Sequence, residues 1–391
     1  MKALLTAASL LALVASPALA QDVKIGALLP LTGDLQSYGE ANLNAVRLAE
    51  KQINAAGGVG GPVSIVVADT QTSPVAGVDA AQKLVNVDNV SGIVGAMGSG
   101  VTIPVATSVT GRVGVTTISP SATSPTITTL DDNGFLFRTA PSDSYQGAAL
   151  ANLVASKGTE NVSIIYVNND YGEGLANAFE QNFSGTVSAK VAFEQGAPSY
   201  RGEVERADTG GAEALIVIAY PESGLVIIRQ ALEGGNFEKF IFTDGMKDPG
   251  IVEQIGGQYL DGAYGTMAAA ADTPQLATFT EAFNAEYGSA PLAYADSAYD
   301  ATMLLALAAA KAGSNDRTAI RDALSEVANP PGEKVGPGEF AKALELIAAG
   351  TDINYEGAAG SQDFDKNGDV PGRIGEWQFT ATGIEELGEV K

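Results

Sequence analysis

The sequence predicts an α/β protein of two similar lobes, each a doubly wound parallel sheet with helices on both faces. Three observations carry that prediction. From residue 23 to 118, short apolar runs alternate with segments whose apolar residues recur at helical spacing. The same rhythm restarts at residue 162. Each series also places Tyr-Gly-Glu at a helix start after its first strand, as Tyr38-Gly39-Glu40 and Tyr171-Gly172-Glu173. Uninterrupted apolar strands suit a parallel sheet that is buried on both sides, and amphipathic helices suit its cover. A chain of 391 residues has room for about two domains of roughly 150 residues each.

In chain order, Met1-Lys2 is a short basic start, residues 3–16 are small and apolar, and Ala18-Leu19-Ala20 has the small-x-small pattern of a cleavage site. This is a secretory signal cut before Gln21. Its apolar run is shorter than the ~20 residues a membrane span needs. The first lobe then has strands 23–29, 63–68, 92–95 and 115–118, with helices 39–55, 75–86 and 103–110. The second has strands 162–167, 188–193, 214–218 and 239–243, with helices 174–183, 200–209 and 222–233. A third stretch is helical at 274–287, 295–312, 316–327 and 339–349, punctuated by Pro330-Pro331-Gly332 and Gly336-Pro337-Gly338. A polar, Gly-rich tail ends in a strand-like run at 375–379.

Composition removes whole classes of function. The chain has 46 acidic and 22 basic side chains, a net charge of −24, no histidine and no cysteine. Disulfides, thiolate nucleophiles, lipid-anchoring cysteines and ordinary zinc sites are therefore excluded, as is a Ser–His–Asp hydrolase. The acidic balance argues against nucleic acid or an anionic membrane as partner. No cofactor is expected. An enzyme on this chain would rest on carboxylates, with Asp170, Glu173 and Asp244 as candidates.

In open parallel sheets, ligands bind outside the carboxyl ends of the strands. The segments at those positions are Ala96-Met97-Gly98-Ser99-Gly100, Ser119-Pro120-Ser121-Ala122-Thr123, Asn168-Asn169-Asp170-Tyr171, Ala219-Tyr220-Pro221 and Asp244-Gly245. Hydroxyls and glycines before a helix suit a carboxylate, a lone carboxylate suits a cation, and tyrosine faces suit an apolar body. Residues 363–369 match the first half of a calcium loop, but Ile374 occupies position 12, where a glutamate is required. An Asx-rich turn is expected there.

Taken together, the series Tyr38-Gly39, Gly98-Ser99, Ser119 to Thr123, Tyr171 to Gly174, Tyr220-Pro221 and Asp244-Gly245 resembles the periplasmic branched-chain amino acid binding proteins, the substrate-binding components of ABC importers. The resemblance covers essentially the whole mature chain. It implies the type I periplasmic-binding fold, with crossovers near residues 140, 267 and 365. The lobes would be 21–140 plus 268–364 and 141–267 plus 365–391, with an amino acid closed between them. Within Ser121-Ala122-Thr123, Thr123 would join Ser99 on the α-carboxylate, while Ser121, through its carbonyl, would join Asp244 on the ammonium. Tyr38, Tyr171, Tyr220 and Tyr294 would line the side-chain pocket. The implied partner is a membrane permease, the implied state a monomer in the periplasm, and no catalytic role follows. The chain departs from the family in lacking a disulfide and in having Asp244 where glutamate, one methylene longer, is frequent. An amide, an aromatic carboxylate or a polar amino acid is the alternative ligand, and docking on a sensor the alternative role.

Overall fold

Five short strands form the first sheet: β1 (Val23–Leu29), β2 (Val63–Asp69), β3 (Gly92–Gly95), β4 (Thr116–Ser119) and β5 (Leu136–Arg138). They are parallel and run in the order β2-β1-β3-β4-β5, with Val23 opposite Val63 and Ile25 opposite Gly92. The computed structural model describes residues 22–269 and 273–390. The expected signal segment and its cleavage point lie outside the described residues.

The second sheet begins with β6 (Asn161–Val167), β7 (Thr186–Phe193), β8 (Ala214–Ile218), β9 (Phe240–Phe242) and β10 (Tyr264–Ala268). All five residues of β8 are buried, as expected of a strand covered on both faces. A small three-stranded sheet follows, made of β11 (Glu333–Val335), β12 (Ile353–Gly357) and β13 (Gly360–Ser361). The chain then returns to the second sheet as an antiparallel hairpin, β14 (Ile374–Thr380) and β15 (Gly383–Glu389), giving the order β15-β14-β10-β9-β8-β6-β7. The hairpin extends the expected strand 375–379 and supplies Trp377, which packs between Phe242 and Phe379. The predicted α/β class and parallel sheets are those observed.

The helix Ala295–Ala312 carries a nearly continuous buried surface and packs on the helix Gln36–Ala55 and on β1 and β3. It thus covers the first sheet, although it follows the second in sequence. The expected helix 103–110 is instead Ser99–Val105 running through a π-helical turn, Ala106–Thr110, into Gly111–Val113. Pro104 lies inside it and lacks the N–H that an α-helical ladder needs. The helix Asp143–Ser156 is one that the sequence pattern does not predict. Its Ala-rich run is apolar on too many sides to show a helical stripe.

The Asp-rich segment at 363–369 is a turn directed into the protein. Arg138 is fully buried; its Nε donates to Asp369 Oδ1 at 2.6 Å and its Nη2 to Oδ2 at 2.8 Å. Asp365 Oδ1 accepts the amides of Asn367 and Asp369. Arg138 Nη1 also donates to the carbonyls of Ala122 and Ser124, at 3.2 and 3.0 Å. One guanidinium therefore ties a late segment of the chain to the Ser121-Ala122-Thr123 loop.

Candidate functional site

The Tyr-Gly echo has a common physical cause. A Cβ on Gly39 would lie 1.9 Å from the carbonyl oxygen of Pro30, and one on Gly172 2.1 Å from that of Val167. Each helix start therefore presses onto the end of the preceding strand in a way that only glycine permits. The helices begin earlier than expected, at Gln36 and Asp170, so both tyrosines sit in a first turn. Asn169 caps the second helix, its Oδ1 accepting the amides of Tyr171 and Gly172.

This geometry brings Tyr38, Ser99, Ser121, Tyr171, Tyr220, Asp244 and Tyr294 around one cavity, closed by Leu35, Met97, Gly98 and Gly245. The lining comes from both sheets, all from segments beyond strand carboxyl ends except Tyr294. The two sides touch. Tyr294 donates to Asp244 Oδ2 at 2.8 Å, Tyr38 donates to the Gly245 carbonyl at 3.4 Å, and Ser223 donates to Asp34. The space left is about 20 Å³, roughly the size of one water. An amino acid can enter only if the two sides part and close again around it.

Asp244 begins the turn Asp244–Met246 after β9 and is held from several directions. Its Oδ1 accepts from Tyr171 at 2.7 Å and from Gln146 Nε2 at 3.0 Å. Burial raises its pKa, against the lowering effect of these donors. The surrounding tyrosines stay neutral, because burial pushes Tyr38, Tyr171 and Tyr294 up and Asp244 adds to the effect. They can therefore donate to the carboxylate. Tyr171 and Tyr220 stack at 5.5 Å, offering a flat apolar wall. Tyr294 adopts a left-handed backbone (φ +65°), a conformation uncommon for a non-glycine residue and frequent at ligand clamps.

Ala122 and Thr123 are buried behind this lining and do not form part of it. The Thr123 hydroxyl donates to Asp143 Oδ2 at 2.7 Å, and its carbonyl accepts the Asp143 amide at 2.7 Å. Ser99 Oγ accepts the amide of Ser124, and Ser121 Oγ donates to the carbonyl of Met97. Asp143 and Gln146 were missed because the helix that bears them was not expected. The available signal was Ser142-Asp143, a serine cap followed by an acid in the first turn. Asp143 is fully buried, and its Oδ1 has no hydrogen-bond partner. Burial pushes its carboxyl well up; Asp244 adds to this, while Thr123 and Arg138 oppose it. Among the described residues, neither Asp143 nor Asp244 is in an ion pair, and Arg138 is already engaged by Asp369. Two interacting buried carboxyls thus lie in this region without an ion-pair partner, Asp244 in the cavity lining and Asp143 outside it, and a ligand cation would favour their charged forms.

Residues 22–342 match the family model described as periplasmic binding protein. The chain belongs to the periplasmic binding protein family. Among its relatives, the chemotactic signal transduction system substrate-binding protein BasB of Halobacterium salinarum is 29% identical over 352 residues, covering 88% of this chain and 83% of that protein. The leucine-, isoleucine-, valine-, threonine- and alanine-binding protein of Pseudomonas aeruginosa is 30% identical over 330 residues, 82% of this chain and 87% of that one. Among solved structures, the branched-chain amino acid transporter substrate binding protein LivJ of Streptococcus pneumoniae, in complex with isoleucine, superimposes with a TM-score of 0.80 at 25% identity. The match covers 95% of this chain and all of that one. The type I periplasmic-binding fold of this family is the one described above.

Proposed function

We propose that this chain captures a small amino acid with an aliphatic side chain between two hinged lobes, outside the cytoplasm, and delivers it to an ABC permease without chemical change. The observation that carries the reading is Asp244, a buried carboxyl without an ion-pair partner in the lining of a tyrosine-walled cavity, with a second buried carboxyl, Asp143, close enough to interact with it. An ammonium pairs with Asp244 and favours its charged form, and a small apolar side chain fits the tyrosine faces. The Thr123 hydroxyl proton is committed to Asp143, which leaves Thr123 a lone pair for the ammonium. The α-carboxylate then falls to Ser99 and nearby backbone amides. This assignment moves Thr123 from the carboxylate to the ammonium, relative to the expectation from sequence. The lobes of the proposal are 21–140 with 268–364, and 141–267 with 365–391, and the mature chain begins at Gln21. The binding names of the Pseudomonas and Streptococcus proteins support the substrate class.

Native mass spectrometry of the purified protein, followed by calorimetry with leucine, isoleucine, valine and alanine, tests this reading. Micromolar or tighter binding of at least one is expected. Tight binding of benzoate or an aliphatic amide with no amino acid binding would overturn it, because a ligand without an amine leaves both carboxylates unpaired. A second reading, docking of the loaded protein on a sensor, is favoured by the similarity to the chemotactic protein BasB. A deletion strain that keeps amino acid uptake but loses the chemotactic response would select it.

A further inference from the structure

A second cavity lies on the other side of Tyr294. It has a volume of about 460 Å³, well within the range of small-molecule sites. Its walls come from both halves of the molecule. Phe279, Leu276 and Leu292 stand on the side of the helices that cover the first sheet, and Met267 and Lys247 belong to the second sheet and its turns. Tyr294 lines this cavity as well as the smaller one, and its hydroxyl bonds Asp244.

The charges in this cavity do not cancel. Lys247 pairs with Glu386, Arg373 pairs with Glu389 at 2.7 Å, and Glu356 pairs with Lys334 at 2.7 Å. The carboxylate left over is Asp296, in the first turn of the helix Ala295–Ala312. Its Oδ1 accepts the amide of Ser297 at 2.8 Å, and it joins no ion pair among the described residues. Lys247 is close enough to favour its charged form, but Glu386 shares that lysine, and burial pushes the Asp296 carboxyl up. A second acceptor is also unmet. Gln362 lines the cavity at 1% exposure, and its Oε1 has no hydrogen-bond partner. A buried acceptor without a donor destabilises the protein until something supplies one.

We propose that this cavity is a second binding site, which takes a small organic cation, a primary amine with an apolar body, and whose occupancy biases the relative position of the lobes. The ammonium meets Asp296, an N–H of the ligand reaches Gln362, and the hydrocarbon lies against Met267, Leu276 and Phe279. The cavity is walled from both sides, so its shape changes when the sides part. A ligand that prefers one shape shifts the equilibrium by that preference and no more. The site is separate from the head-group site of the proposed function and does not depend on which solute that site holds.

The probe is n-hexylammonium, titrated by calorimetry into the full mature chain without amino acid. The expected result is one site in the millimolar range or tighter, retained by Asp244→Asn and weakened about tenfold or more by Asp296→Asn. Leu276→Trp, which fills the cavity from a partly exposed helix, abolishes binding while circular dichroism reports an intact fold. Hexanoate, of the same length and opposite charge, does not bind. No binding of hexylammonium through the millimolar range overturns the site. So does binding lost in Asp244→Asn and kept in Asp296→Asn, because the amine would then occupy the head-group site. Small-angle scattering of Asp244→Asn with saturating hexylammonium should change the radius of gyration, and an unchanged radius refutes the coupling to lobe position.

Discussion

Replacing Asp244 with asparagine separates a binding role from a structural one. In the wild type, three side-chain donors, Tyr171, Tyr294 and Gln146, hold Asp244 at 2.7–3.0 Å, yet burial raises its pKa and no basic side chain neutralises it. Asparagine has the same shape, and the tyrosine hydroxyls can rotate to donate to its oxygen or accept from its amide. The unliganded fold should therefore change by no more than about 1 kcal/mol. Binding should change far more. A buried ammonium that loses its carboxylate partner costs about 3–5 kcal/mol, which is on the order of a hundred- to several-thousand-fold in affinity. Thr123→Ala removes a single hydrogen bond to a charged group, about 1.5–3 kcal/mol, or roughly tenfold to a hundred-and-fifty-fold. Calorimetry with leucine on both variants, after ligand removal by unfolding and refolding, should rank Asp244→Asn below Thr123→Ala, with thermal midpoints of Asp244→Asn and wild type close together. If Asp244→Asn binds leucine as the wild type does, the ammonium assignment is wrong. If its midpoint collapses instead, Asp244 is a structural residue and the affinity loss carries no information about the head group.

Four further outcomes are expected. Scattering should show a smaller radius of gyration with leucine than without. Gly98→Val should abolish that change, because even a Cβ at Gly98 lies 3.3 Å from the Tyr220 hydroxyl across the cleft; a variant that still contracts would count against closure at this point. Asp369→Asn leaves the fully buried Arg138 without its anion and should cost about 3–5 kcal/mol, read as a large fall in the thermal midpoint; an unchanged midpoint would show that the guanidinium finds another partner. Burial pushes Asp300 up to about 7 from an ordinary 3.8, so it stabilises the fold fully below pH 3.8 and loses that contribution as pH rises towards 7. Urea unfolding should thus give a lower stability at pH 8 than at pH 5, by roughly 2–3 kcal/mol from this group. A stability that rises across that interval contradicts the sign.

The sheets were legible in the sequence because strands buried on both faces must be apolar without interruption, and little else in a soluble chain looks like β8. The cavity was legible for a related reason. A parallel sheet can present polar loops only at its strand ends, so Tyr38, Ser99, Ser121, Tyr171, Tyr220 and Asp244 could be placed by counting residues from each strand. Tyr294 follows no strand and came only from the family resemblance. The helix Asp143–Ser156 stayed hidden because its buried stripe includes Asp143, Gln146 and Gly147 while Ala155 lies on the exposed face, so hydropathy does not follow the helical period. With it went Asp143, the second carboxylate, which the fold brings to Asp244 across a hundred residues of sequence. The Asp-rich turn at 363–369 carries the same lesson in reverse. Locally its oxygens resemble half of a metal loop, but a buried arginine 231 residues away decides where Asp369 points. That arginine also holds the carbonyls on either side of Thr123. The segment by which the chain re-enters the second sheet is thereby bonded to the loop behind the head-group site. Bonds from Asp369 to Arg138, from Arg138 to the carbonyls of Ala122 and Ser124, and from Thr123 to Asp143 thus link residues 365–369 to Asp143. Under the proposed function, this hydrogen-bond network would tie closure of the lobes to recognition of the ammonium.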